Sequence, residues 1–126
     1  MSLRTPLGRV RGLGSAKEGT HHWWAQRLTA VALIPLSLWL VYSVVCMTTL
    51  DYIAAIGWLQ SPITSSLLTL FVITLFYHAQ LGMQVVIEDY VTSEILKITS
   101  IVLMKFIIWF AGLAGIMAIL KVFLGL

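Results

Sequence analysis

The sequence predicts an all-α membrane protein with three transmembrane helices. Of its 126 residues, 60% are hydrophobic and only 10% are charged, and the mean hydropathy is +0.96. Soluble domains usually carry about 25% charged residues, so a bilayer is a better solvent for this chain than water. A helix needs roughly 20 apolar residues to cross the hydrocarbon core, and three stretches reach that length. We therefore predict a single domain, residues 1–126, that crosses a membrane three times.

A polar arm, residues 1–27, precedes the first predicted helix. The three helices are predicted over Leu28–Leu50, Ile63–Ile87 and Ile98–Leu126. Ser61 fits the N-cap position of the second helix, and Pro62 fits its first helical position. Pro35 falls inside the first helix, which membrane-embedded helices tolerate when neighbouring groups satisfy the freed carbonyl. The connection ahead of Ser61 is expected to lie on the membrane surface.

Positive charges predict the orientation. Five lysine and arginine residues precede the first helix, whereas the connection between the first two helices has none. Lysine and arginine concentrate on the cytoplasmic side, so we predict that the N-terminus is inside and that the second helix runs inward. We expect a multi-pass protein of the bacterial cytoplasmic (inner) membrane and no nucleic-acid partner. The arginine-rich arm also fits a mitochondrial presequence, so the mitochondrial inner membrane is the less favoured alternative.

The second predicted helix carries polar residues in its inner half. The stretch YHAQLGMQVVIEDY places His78 inside the span and reaches Asp89 and Tyr90 at the inner surface. At about 100° per residue, Gly82 and Asp89 fall within about 40° of His78, so the three residues share one face. A titratable group within a span is costly and by default indicates a functional site facing the bundle interior.

The other polar side chains of this region have structural interpretations. Gln80 and Gln84 point away from the His78 face, and we expect them to form interhelical hydrogen bonds. Cys46 is the only cysteine, which excludes an internal disulfide and any centre built from several thiolates of this chain.

Three interpretations of His78 remain open: a proton relay, a ligand of haem or another metal, and a core hydrogen bond. Thr74 and Gly82 lie one turn away on either side, and small residues would let a porphyrin approach the helix. His21 and His22 precede the first predicted helix. A second haem ligand at the depth of His78 would therefore come from another chain.

The polar residues of the second helix form a recognisable pattern. His78, Gly82, Asp89 and Tyr90, as H-x-x-x-G followed by D-Y, resemble the small hydrophobic membrane anchor of succinate dehydrogenase, respiratory complex II. The block HHWWAQRLTA resembles the N-terminal block of the same family. The resemblance extends over nearly the whole chain in length, helix count and topology.

The resemblance implies a membrane anchor within an electron-transport enzyme of the respiratory chain and the tricarboxylic acid cycle. A flavoprotein subunit oxidises succinate in that family, and electrons pass to the membrane through an iron-sulfur subunit. Two anchor subunits, of which the cytochrome b-type anchor would be the partner here, hold a b-type haem and a ubiquinone site. The chain would have no catalytic residue for succinate itself.

The resemblance also implies roles for residues at the haem. His78 would be the axial ligand of the haem iron, and Gly82 would pack against the ring. Arg27 and His21 would hold the haem propionates, for which the fixed fork of donors of an arginine is well suited. Arg27 has an alternative interpretation as an anchor at the inner headgroups.

Two further residues are implied at the quinone. Tyr90 would donate its hydroxyl to a quinone carbonyl, and Asp89 would orient it or pair with an arginine of the partner anchor subunit. The alternative for Tyr90 is an interfacial aromatic anchor, and the alternative for Asp89 is a cap of the third helix. For the whole chain, the alternatives are a cofactor-free helical scaffold or transporter subunit and the equivalent anchor of a fumarate reductase.

Overall fold

The computed structural model describes residues 5–10, 19–47 and 51–126, and its regular structure there is entirely helical. The helices are α1 (Pro6–Val10), α2 (Gly19–Met47), α3 (Tyr52–Gln60), α4 (Pro62–Tyr90) and α5 (Glu94–Phe123). Three of them, α2, α4 and α5, are long and apolar enough to cross a membrane. The prediction of an all-α protein with three membrane spans is confirmed.

The spanning helices are longer than the predicted apolar stretches. α2 already includes Gly19, nine residues before the predicted start at Leu28, and α5 begins at Glu94 instead of Ile98. Helices of 29 or 30 residues are about 45 Å long, whereas the hydrocarbon core measures about 30 Å. Apolarity marks only the part of each helix in lipid, and polar end residues continue the helix into the headgroup region.

Part of the predicted arm is therefore helical. His21 and Arg27 lie within α2 and not in an arm ahead of the first helix. The predicted end of the first helix at Leu50 and the arm cations Arg4, Arg11 and Lys17 lie outside the described residues. The inside location of the N-terminus stays a prediction.

Hydrogen bonds from Ser65 hold the corner between α3 and α4. Ser61 is the N-cap residue of α4 and Pro62 its first helical residue, as predicted. The Ser61 side chain makes no capping hydrogen bond; instead the Ser65 hydroxyl lies 2.7 Å from the Leu59 carbonyl oxygen and 3.0 Å from that of Ser61. A side-chain donor from the first turn of α4 thus ties this helix to the end of α3.

The connection expected on the membrane surface contains the short helix α3. The Asp51 carboxylate accepts a 2.9 Å hydrogen bond from the Ala54 amide and caps its start. The Trp58 ring stacks on Trp39 of α2 at 5.8 Å, and the Gln60 amide donates to the Val122 carbonyl of α5 at 3.3 Å. Helix α3 therefore ties the ends of α2 and α5 together.

Helix α4 is the central helix because it packs against both α2 and α5. Its contact with α5 depends on small residues. A Cβ on Gly112 would lie 3.5 Å from Phe76, and one on Gly115 would lie 3.4 Å from Val72. Without side chains at these two positions, α5 approaches α4 closely, as is usual for membrane helices.

The interior of this bundle is small. Among the described residues, the buried apolar side chains are Leu36 and Leu81, and the buried polar ones are Thr29, Thr64, Ser65 and Thr74. Most large apolar side chains of the spans point outward, which is where lipid or partner subunits cover them. Packing with a partner anchor subunit stays a prediction.

Candidate functional site

His78 lies half-buried on α4 and contacts the buried Thr29 on α2. Its Nδ1 atom is 2.9 Å from Thr29 Oγ1. The same Oγ1 lies 2.7 Å from the carbonyl oxygen of Ala25 and 3.1 Å from that of Gln26. The membrane histidine is thus held by a hydroxyl that is itself bonded to the backbone of α2.

The second ring nitrogen of His78 faces Gln26. The two Nε2 atoms are 3.4 Å apart, longer than a usual N–H···N or N–H···O bond. Gln26 Oε1 is buried and has no hydrogen-bond partner among the described residues. A Cβ on Gly82 would lie 3.6 Å from Gln26 Nε2. His78 and Gly82 therefore share the face toward α2, as predicted, and we call His78, Thr29, Gln26 and Gly82 the His78 cluster.

Two residues of the His78 cluster were not among the predicted site residues. Gln26 and Thr29 lie on α2 with His22, at positions i, i+4 and i+7 of one helical face. His22 Nε2 is also buried without a partner in the described residues. The spacing of these polar residues on one helical face could have indicated a polar site on α2. It was missed because the predicted first helix began at Leu28, after His22 and Gln26.

The residues predicted at the haem propionates lie on the outer surface of α2. His21 and Arg27 are both exposed, and neither forms a hydrogen bond with the His78 cluster in the described part of the chain. The Arg27 guanidinium lies 5.5 Å from the centre of the Trp23 ring, within the range of a cation–π interaction. The pair presents a positive charge beside an aromatic surface at the start of the span.

The last turn of α4 carries Asp89 and Tyr90. Both are exposed, and 82% of the Tyr90 surface is accessible. The N-cap residue of α5 is Ser93, so Asp89 belongs to the end of α4 and does not cap the third span. About 18 Å of helical rise separates His78 from Tyr90. One continuous helix thus carries both predicted sites, one within the span and one at its end.

The two glutamines depart from their predicted role. Gln84 donates a 2.8 Å hydrogen bond to Glu88 of the same helix, so the expected interhelical bond is wrong for this residue. Gln80 lines an apolar cavity of about 380 Å³ between α4 and α5, together with Phe76 and Trp109. Its Oε1 atom is buried without a partner among the described residues.

Three apolar spanning helices, with one half-buried histidine on the central span, define a small integral-membrane anchor with a polar site between its helices. Residues 1–120 match the family model described as "Succinate dehydrogenase/Fumarate reductase transmembrane subunit", and the chain belongs to this family. The resemblance inferred from the H-x-x-x-G and D-Y residues is confirmed.

Relatives from three genera support the same family. A succinate dehydrogenase hydrophobic membrane anchor subunit of Rickettsia bellii is 44% identical over 103 residues, which cover 82% of both chains. A succinate dehydrogenase membrane anchor subunit of Reclinomonas americana is 33% identical and covers 72% of this chain and 78% of its own. A succinate dehydrogenase hydrophobic membrane anchor subunit of Paracoccus denitrificans is 34% identical over 71% of this chain and 70% of its own.

The family defines the general role of the chain. It is a multi-pass anchor subunit of an enzyme complex, associated with other subunits of that complex and with lipid. Its relatives from Rickettsia and Paracoccus agree with the predicted bacterial inner membrane.

Proposed function

We propose that this anchor binds a b-type haem through His78 and contributes Tyr90 and Asp89 to a ubiquinone site. Its partners are a cytochrome b-type anchor subunit, an iron-sulfur subunit and a flavoprotein subunit of a succinate:quinone oxidoreductase. The observation that carries the proposal is a half-buried imidazole inside a membrane span, with one ring nitrogen held by Thr29 and the other facing only a distant amide.

The His78 cluster fits a haem ligand. A neutral imidazole binds iron through a ring nitrogen whose lone pair is free. Within the described residues, His78 Nε2 has the 3.4 Å contact with Gln26 as its one polar contact, and Gln26 Oε1 has no partner there. A buried unsatisfied amide is unfavourable, so its displacement costs little. Gly82 adds no side chain on this face. When bound, the haem supplies a one-electron redox centre in the low-dielectric interior.

Arg27 and His21 are the residues of this chain proposed for the haem propionates. Both are exposed on α2, where groups outside the chain can reach them. The Arg27 guanidinium keeps its charge and offers several donors to a carboxylate. Its contact with Trp23 restricts the direction in which the long side chain extends.

Tyr90 and Asp89 have the chemistry that a quinone site needs at a membrane surface. Quinone reduction takes up two electrons and two protons, so the site belongs where a buried electron donor meets water. Tyr90 offers a neutral hydroxyl that can donate to a quinone carbonyl as negative charge develops there. The neighbouring carboxylate of Asp89 is exposed and can pair with an arginine of the partner anchor subunit. The exposure of both side chains supports a site completed by other subunits.

Fumarate reductase is the nearest alternative, because the matching family model covers the transmembrane subunits of both enzymes. The relatives from Rickettsia, Reclinomonas and Paracoccus are named for succinate dehydrogenase, which favours succinate oxidation. The other alternative is a cofactor-free scaffold or transporter subunit. It predicts a purified complex without b-type absorption bands in the visible spectrum.

Gentle detergent extraction through a tag on this chain tests the proposed function. We expect a flavoprotein, an iron-sulfur protein and a second membrane subunit to co-purify, with b-type bands in the reduced-minus-oxidised spectrum. Succinate should reduce added ubiquinone in this preparation. The same set of subunits without b-type bands would contradict the haem proposal and favour the cofactor-free scaffold.

A pair of substitutions at Gly82 tests where the haem lies. In Gly82→Ala the new Cβ makes an ordinary contact of 3.6 Å with Gln26, so haem content should stay near the wild-type value. Gly82→Leu places a branched side chain on the same face. Overpacking there should make haem binding less favourable by about 1–3 kcal/mol. Haem affinity should then fall by roughly 5- to 150-fold, measured as haem per complex on dilution. Equal haem retention in both variants would show that the ring does not lie over Gly82.

A further inference from the structure

The hydroxyl of Thr29 has three hydrogen-bonding contacts but only one hydrogen to donate. Its Oγ1 atom lies within 3.1 Å of two carbonyl oxygens, those of Ala25 and Gln26, and 2.9 Å from His78 Nδ1. A hydroxyl has one hydrogen and two lone pairs, whereas a carbonyl oxygen only accepts. The shortest of the three contacts is the one to the Ala25 carbonyl, at 2.7 Å, which favours donation of the Thr29 hydrogen to the backbone. A lone pair of the hydroxyl is then left to accept from His78.

This direction of donation favours one tautomer of His78. With the hydrogen on Nδ1, the Thr29 hydroxyl can donate to the carbonyls and accept from the ring, so all three of its contacts are hydrogen bonds. In that tautomer the free lone pair of the neutral ring is on Nε2. The Gln26 amide faces Nε2, and either orientation of that amide leaves the Thr29 contact unchanged. Thr29 is held firmly, because its side chain is β-branched, 9% exposed and bonded to its own helix.

We propose that Thr29 is the positioning residue of His78. It fixes the ring orientation across the contact between α2 and α4 and presents Nε2 as the nitrogen that binds iron. The inference rests on the proposed haem function and adds to it a residue that is not itself a ligand. A hydrogen bond donated by Nδ1, the ring nitrogen that does not bind iron, also makes the imidazole a more basic ligand. A more basic ligand favours the ferric state of the haem iron.

Thr29→Val tests the inference because it keeps the shape of the side chain and removes the hydroxyl. We expect haem affinity in the purified complex to fall by about 10- to 100-fold, the usual cost of losing such a partner. The haem midpoint potential should rise, since the imidazole donates less electron density to ferric iron. Thr29→Ser, which keeps the hydroxyl, should restore both quantities toward wild type.

Thr69→Val is the matched control. The Thr69 hydroxyl makes the same kind of bond to its own helix, at 2.8 Å from the Ser65 carbonyl oxygen, and has no histidine partner. This variant should leave haem affinity and midpoint potential unchanged. If Thr29→Val does not accumulate as a complex, Thr29→Ala, which removes the hydroxyl together with the γ-methyl group, takes its place.

The outcomes separate this inference from the proposed function. If His78→Ala loses the b-type spectrum while Thr29→Val keeps wild-type affinity and potential, the positioning role is wrong and the haem ligand stands. A b-type spectrum unchanged in His78→Ala overturns the proposed ligand and this inference with it. Lower affinity and a raised potential in Thr29→Val, both reversed in Thr29→Ser, support the positioning role.

Discussion

Replacing His78 with alanine is expected to abolish the b-type haem spectrum of the complex while the chain still inserts into the membrane. The substitution removes the proposed iron ligand and also the group that contacts Thr29 and Gln26 between α2 and α4. Insertion should survive, because deletion of a polar side chain makes the span more apolar. Membrane content of the tagged chain and the reduced-minus-oxidised spectrum are measured in the same preparation.

Gln84→Ala is the control for this substitution. Gln84 is also a polar residue of α4, but its amide bonds to Glu88 on the same helix and lies outside the His78 cluster. Its loss should leave the spectrum at the wild-type amplitude. An unaltered spectrum in His78→Ala would assign the iron to another residue.

Tyr90→Phe should impair quinone reduction while succinate oxidation by a soluble artificial acceptor stays largely intact. Phenylalanine keeps the ring and removes only the hydroxyl, so the change isolates one hydrogen bond. If that bond strengthens as charge develops on the quinone oxygen, its loss should raise the barrier by about 2–4 kcal/mol. This corresponds to roughly a 30- to 900-fold lower rate, and a water that fills the gap would reduce the effect.

The chain offers a matched control in Tyr52. It is as exposed as Tyr90, at 79% against 82%, and lies at the start of α3, at the opposite end of α4. Tyr52→Phe should leave the ratio of quinone-dependent to artificial-acceptor turnover unchanged. A wild-type ratio in Tyr90→Phe as well would make Tyr90 an interfacial anchor and remove it from the quinone site.

The number and type of the spanning helices could be predicted from the sequence because apolar length is a property of each segment alone. The helix ends could not, since hydropathy reports which residues lie in lipid and says little about where backbone hydrogen bonding stops. α2 shows this, because His21 and Arg27 are helical although neither is apolar. α3 was not predicted, because its nine residues are too few to be found by apolar length. Asp51 is nevertheless a recognisable N-cap residue.

The His78 site was predicted in part. Its two residues on α4 follow from helical geometry, because His78 and Gly82 are one turn apart on the same face of the helix. The polar spacing on α2 could have marked Thr29 as a candidate, but not its contact with His78, which joins residues far apart in the chain and depends on how α2 is rotated against α4. Gln84 was misassigned for a related reason: a glutamine on a membrane helix can bond to its own helix as well as to a neighbour.

The two contacts of α4 differ in a way that bears on the biogenesis of the anchor. Its contact with α5 includes the close approach of Gly112 to Phe76 and of Gly115 to Val72, and three residues, Val91–Ser93, separate the two helices, so we expect this hairpin to close during synthesis. Its contact with α2 is made through the ring nitrogens of His78, the proposed haem ligand. Gln26 Oε1 at this contact has no hydrogen-bond partner among the described residues. We therefore expect the arrival of the prosthetic group to complete the second contact. Cofactor loading would then act as a maturation checkpoint for the anchor.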